Sequence, residues 1–186
     1  MSKRFITANQ LLADAFQLTR DIVNSEFHPT ALLALWRGGT PIGIGIHEGL
    51  SYLGIHAKHF ALRTSYYDDK NQRKDTVQID QIDSFASQFS ESERLLIVDD
   101  VFDSGNTLKA VIQHIQDNTS IIAPAQIKIA TPYFKPAQNL TDFTPDFYLH
   151  ETDEWIVFPH ELMGLSEQEI NEHKPNAAVL LGATEK

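Results

Sequence analysis

Fourteen residues, Leu95 to Leu108 (LLIVDDVFDSGNTL), constrain this chain more than any others. Four apolar residues in a row, Leu95 to Val98, predict a strand buried on both faces. Two acids follow at once, Asp99 and Asp100, and then the turn Asp103-Ser104-Gly105-Asn106-Thr107 opens a helix expected over 104–117. A charge leaves water at high cost, so a buried strand that ends in paired carboxylates calls for a partner. The turn gathers main-chain N–H groups, small hydroxyls and a helix N-terminus around one concavity, which suits an anion. Acids beside an anion cradle fit a ligand that brings phosphate, hydroxyl groups and a divalent cation, and phosphorylated ribose with Mg²⁺ meets each demand. A lone Asp-Asp or Asp-Ser-Gly would read only as a strand end with a capping acid. The string is not a Walker A loop, because Gly-Lys-Ser/Thr is missing.

The rest of the chain alternates helix and strand. Thr7-Ala8-Asn9-Gln10 reads as a capping box before apolar residues at helical spacing, from Leu11 to Val23. Thr30–Trp36 predicts a buried strand, 41–53 a helix despite three glycines, and His56–Ser65 a second strand. The polar run 66–76 reads as a mobile loop, Asp80–Phe89 as a helix, Arg94–Val101 and Gln126–Phe134 as strands. Residues 146–159 predict short strands at one edge, and Ser166-Glu167-Gln168-Glu169 a second capping box. This order predicts an α/β fold with a mainly parallel central sheet flanked by helices. Ligands of such sheets bind beyond the carboxyl ends of strands.

The chain is 186 residues with a formal charge of −10, and it carries no cysteine, so thiol nucleophiles and thiolate metal sites are excluded. The charge is unevenly placed. Residues 1–135 hold 13 basic and 15 acidic side chains, while 136–186 hold 2 and 10. Such a balance argues against a nucleic-acid surface and confines any anion site to the first 135 residues. No apolar run is long enough for a membrane span and the N-terminus turns polar early, so the expectation is one cytoplasmic domain over 1–186.

Four apolar residues, two acids, two apolar residues and D-S-G-x-T resemble the phosphoribosyl-pyrophosphate (PRPP) motif of the type I phosphoribosyltransferases. Three other segments resemble the same family in the same order. Trp36-Arg37-Gly38-Gly39 is similar to its pyrophosphate loop, with Trp36 where close bacterial relatives carry Ser. Thr64 to Arg73, through Ser65-Tyr66 and Asn71-Gln72-Arg73, resembles its flexible catalytic loop. Lys135 and Asp153-Glu154-Trp155-Ile156-Val157-Phe158-Pro159-His160-Glu161 resemble the base-binding hood of the 6-oxopurine group, most of all bacterial xanthine–guanine/hypoxanthine enzymes. There His160 stands in place of a second aromatic and Glu161 in place of Asp.

The resemblance implies a core over about 25–135 and a hood over about 136–165 plus N-terminal elements. It implies transfer of phosphoribose from PRPP to a purine, with Mg²⁺, by a homo-oligomer. It further implies roles for residues. Asp99 and Asp100 would serve ribose and the metal; Ser104, Gly105, Asn106 and Thr107 the 5′-phosphate; and Asp103 would act as general base at purine N7. Arg37, Gly38, Gly39 and Arg73 would take pyrophosphate under a loop containing Ser65 and Tyr66. Lys135 would meet the oxygen on C6, Trp155 stack on the ring, and Ile156 and Glu161 read its edge. A second reading from the same fold is a non-catalytic PRPP- or nucleotide-binding regulator.

Overall fold

The computed structural model describes residues 2–67, 73–79, 89–90, 92–118, 123 and 126–182, which form two compact units. The larger, Leu12–Asp153, is built on a seven-stranded sheet. Its strands are β2 (Ala31–Trp36), β3 (Lys58–Tyr67), β4 (Arg73–Ile79), β5 (Leu95–Val98), β6 (Val101–Phe102), β7 (Ile127–Phe134) and β8 (Phe147–Glu151). They lie in the order β4-β3-β2-β5-β7-β6, with β8 also pairing β7. Every pairing is parallel except β3 with β4, as the alternating pattern predicts.

β2 and β5 are central, and their apolar runs are buried on both faces. They share a core with Leu62, Leu108, Val111, Ile115 and Ile129. Helix α1 (Ala8–Asn24) is capped by the Thr7 hydroxyl, which accepts from Gln10 N at 3.1 Å, and buries Leu11, Ala15, Leu18 and Ile22. Helix α2 (Gly39–Tyr52) explains its glycines by close approach. A Cβ at Gly43 would lie 2.8 Å from the Ala34 methyl of β2, and one at Gly45 2.7 Å from that of Ala15 on α1.

The smaller unit comprises Met1–Leu11 and Glu154–Lys186. Here β1 (Lys3–Phe5) pairs in parallel with β9 (Trp155–Val157), and α4 (Glu167–His173) and α5 (Pro175–Leu181) follow, α3 being Asn106–Asn118 of the larger unit. The Ser166 capping box is complete, with both reciprocal bonds to Glu169. The ammonium of Lys3 bonds Glu169 at 2.7 Å, which with the cap holds that carboxyl down at about 2. The Phe5 and His173 rings stack at 3.8 Å.

Two expectations need correction. Residues 66–67 and 73–76, read as loop, belong to the β3–β4 hairpin, because an antiparallel edge strand needs main-chain partners rather than an apolar pattern. The strands of 146–159 do not share one edge: β8 borders the large sheet, whereas β9 joins β1 in a second sheet. Residues 136–153 cluster with the larger unit, and 154–165 with the N-terminal residues in the smaller. Apart from Phe89, the helix expected over Asp80–Phe89 lies outside the described residues.

At the N-terminal ends of β2, β3 and β5, buried Glu93 accepts from Lys58 at 2.5 Å and from the Thr30 hydroxyl. Burial pushes this carboxyl up, but the Lys58 and Thr30 hydrogen bonds and the Lys58 charge outweigh it, leaving it below its ordinary value. The stabilisation is therefore present above the unfolded value of about 4.5 and fades as pH falls below it. Glu93→Gln should cost about 1–3 kcal/mol near neutral pH, less than a fully buried pair because Lys58 is half exposed. Denaturant titrations at pH 7 and pH 4 check this: the gap between wild type and variant should narrow at the lower pH.

Candidate active site

β5 delivers Asp99 and Asp100 to its carboxyl end, where Asp99 N donates to Ala130 O of β7 at 3.2 Å. The Asp99 carboxylate accepts from Asp100 N at 3.0 Å. Burial first, and then the Asp100 charge, push the Asp99 carboxyl well above the usual range. An incoming cation or set of hydroxyl donors would relieve that conflict. Among the described residues, no three His, Cys, Asp or Glu side chains converge on one metal position. The donor set thus fits a cation that keeps water and substrate oxygens in its shell, as Mg²⁺ does, rather than an all-protein cage.

The turn after β6 holds a small concavity of about 60 Å³, lined by Asp99, Asp103, Ser104, Gly105 and Thr107 among others. Gly105 has φ of 76°, and a Cβ there would meet the Phe102 ring and the Thr141 methyl at 2.8 Å. The position requires glycine on both counts. Helix α3 starts at this concavity, with Asn106 N donating to the Ser104 hydroxyl at 3.4 Å and Lys109 N to Gly105 O at 2.9 Å, and the N-terminal end of a helix favours an anion.

Arg37, Gly38 and Gly39 join β2 to α2. The Trp36–Arg37 peptide is cis, and the Trp36 side chain ends β2 half exposed. A Cβ on Gly38 would fall 1.8 Å from Asp100 Oδ2, and one on Gly39 2.3 Å from Val98 O. The two glycines thus lie directly against the acid pair. Backbone angle does not call for glycine at Gly38, which is ordinary right-handed helix at φ −62°; close approach does.

Lys135 follows β7 and is 7% exposed, its N donating to Phe102 O at 2.9 Å. Its ammonium is 3.6 Å from the half-exposed Asp103 carboxylate. The larger unit therefore brings together the Asp99-Asp100 pair, the 103–107 turn, the Arg-Gly-Gly loop and Lys135. Two buttresses of this site escaped the sequence reading. Leu140 N donates to Ser104 O at 3.0 Å, and the Asn139 side chain ties Thr141, which roofs Gly105. The polar run around them shows no periodicity by which to find them.

The remaining expected site residues belong to other elements. Ser65 and Tyr66, assigned to a flexible loop, are part of β3, with Ser65 in register with Gln78. Arg73 opens β4 opposite Tyr67, while Asp68 to Gln72 lie outside the described residues. Trp155, Ile156 and Glu161 belong to the smaller unit: Trp155 is exposed, and Ile156 is buried in β9. One Glu161 oxygen is already engaged by Phe158 N at 2.9 Å, so that carboxylate closes its own turn and has only its other oxygen for a ligand. The larger of the two cavities described, about 440 Å³, lies within the smaller unit beside Phe5 and His173 and contains none of the expected site residues.

Paired acids, a glycine-bearing turn and a glycine loop thus stand at the carboxyl end of a parallel sheet, where ligands of such α/β folds bind. The family is settled by comparison. A model of the phosphoribosyl transferase domain matches residues 5–166, and the chain belongs to that family of enzymes. No curated protein matches it by sequence. Among solved structures, a purine phosphoribosyltransferase from Pyrococcus horikoshii is 27% identical over 89% of this chain and 98% of its own, with a TM-score of 0.66. A xanthine-guanine-hypoxanthine phosphoribosyltransferase from Helicobacter pylori is 22% identical over 92% and 100%, with a TM-score of 0.65. A hypothetical protein from Neisseria gonorrhoeae with bound ppGpp is 19% identical over 96% and 97%, with a TM-score of 0.73. At these last two identities the likeness is one of fold.

Proposed function

We propose that this protein is a purine-salvage transferase. PRPP and a 6-oxopurine (hypoxanthine, guanine or xanthine) give the nucleoside 5′-monophosphate and pyrophosphate. What carries the reading is the meeting, in one unit, of the acid pair, the 103–107 turn, the Arg37-Gly38-Gly39 loop and buried Lys135. The bond from ribose C1 to pyrophosphate breaks, the purine N9 bonds C1, and the proton displaced from the base passes from N7 to Asp103. Asp99 and Asp100 would hold the ribose hydroxyls and the water shell of a bound Mg²⁺, which would supply positive charge against the pyrophosphate oxygens. Main-chain N–H groups from Ser104 to Thr107 hold the 5′-phosphate, and Arg37 and Arg73 the pyrophosphate. Trp155, Ile156 and Glu161 are assigned to the base on resemblance alone. The reading extends to a cytoplasmic homo-oligomer; no described helix is long and apolar enough to cross a membrane.

Incubation with PRPP, Mg²⁺ and each common purine base, with nucleotide product identified by mass, tests this. Lys135→Ala should raise KM for the 6-oxopurine by about tenfold, a hydrogen bond from a charged donor, and leave KM for PRPP near wild type. An equal rise in both constants would move Lys135 out of the base pocket. The N. gonorrhoeae structure with ppGpp favours a second reading, a nucleotide-binding regulator. Tight ppGpp binding with no product from any base would select it.

A further inference from the structure

Outside the candidate site, one buried acid of the larger unit is half unpaired. Asp14 lies in the buried stripe of α1 between Leu11 and Leu18 and is 8% exposed. Its Oδ1 meets His150 Nε2 at 3.2 Å, and its Oδ2 has no hydrogen-bond partner among the described residues. A buried acceptor left without a partner is destabilising, so among these residues His150 carries the whole task of satisfying this carboxylate. Because Asp14 can only accept when ionised, Nε2 of His150 is the donor.

The same imidazole does a second thing. His150 stands in register with Tyr133 across the β7–β8 pairing, and the two rings overlap at 4.9 Å with planes 30° apart. Tyr133 is fully buried, and Lys135 follows two residues later. Past His150, Thr152 N donates to Phe134 O at 3.0 Å, so the end of β8 is laced to the last residues of β7. His150 therefore joins α1, β7 and β8 just where β7 presents Lys135. The Lys135 ammonium sits 3.6 Å from Asp103, too far for a strong hydrogen bond. Its place is thus set by the direction in which β7 delivers its stem.

We propose that His150, held by the buried Asp14, is a positioning residue that aims Lys135 at the purine. The inference rests on the base-binding reading of Lys135. A displacement of about 1 Å at a recognition group is enough to cost tenfold or more, so a clamp on the strand end matters to binding as well as to folding.

The test uses the full chain and five variants, Lys135→Ala among them, each assayed for KM of purine and of PRPP and for melting temperature. His150→Ala should raise purine KM by about fivefold and PRPP KM by less than about twofold, a smaller version of the Lys135→Ala pattern. His150→Gln, which keeps a donor for Asp14, should recover at least half of that loss on a logarithmic scale. Leu18→Ala, a truncation of a fully buried residue on the same helix that leaves both Asp14 and His150 in place, should lower the melting temperature without splitting the two constants. If His150→Ala does not melt cooperatively, Asp14→Asn takes its place and should shift purine KM in the same direction. Equal rises in both constants, or the same split from Leu18→Ala, would make His150 a stability residue and overturn the proposal. If Lys135→Ala is selective for purine and His150→Ala is not, only the clamp fails. If the wild type yields no nucleotide from any purine, the underlying reading fails with it.

Discussion

Gly39→Ala should abolish PRPP-dependent nucleotide formation and destabilise the protein by about 1–3 kcal/mol, the usual cost of forcing atoms into a packed core. Its new methyl would sit 2.3 Å from the Val98 carbonyl and 3.0 Å from the Asp99 Cα, both main-chain atoms of the central sheet. Neither can yield without shifting β5, so the Arg-Gly-Gly loop must move away from the acids it lies against. Gly38→Ala makes a revealing contrast. There the methyl meets the tip of the Asp100 side chain at 1.8 Å, and a carboxylate can swing aside. That variant should lose activity comparably while keeping nearly all of its stability. Thermal melts and initial rates on both variants check the pair. Normal activity in Gly39→Ala would show that the loop does not work against the acid pair.

Asp103→Asn should lower kcat by more than about tenfold, a floor set below the roughly 10²–10⁴-fold that a positioned acid–base group contributes. Asparagine keeps the shape of the turn and its reach toward Lys135, so folding and PRPP affinity should change little. What it loses is the capacity to take a proton, and with it the counter-charge 3.6 Å from a buried ammonium. The two losses separate in kinetics. A missing base lowers kcat, whereas a misplaced Lys135 raises purine KM. Wild-type-like turnover would remove Asp103 from the chemistry.

The β5–α3 segment was legible because each of its demands is local. Leu95 to Val98 must be buried on both faces, two acids must follow, and Gly105 must take a positive φ. The Ser166 capping box was legible for the same reason, since its partners are three residues apart. The β4 strand was not, because its opening residues, Arg73 to Thr76, carry no apolar alternation and pair with β3 as an antiparallel strand. Nor was the pairing of Lys3 with Trp155, which joins distant ends of the chain in a two-stranded sheet. Asp14 reads as an ordinary helix acid until the structure shows it buried against His150.

By itself the sequence determined which chemistry is present: the acid pair, the anion-binding turn, the glycine loop and a lysine closing a buried strand. Those are local patterns, and the period of a strand or the cap of a helix writes them into neighbouring residues. Only the tertiary structure decided what stands against what. It put Gly38 on the Asp100 carboxylate and Gly39 on the main chain of Val98 and Asp99, gave a Glu161 oxygen to the backbone of its own turn, and tied Asp14 to His150 across 136 positions. Such contacts follow from how helices and strands pack, and close packing depends on every neighbouring side chain at once, which no local pattern records.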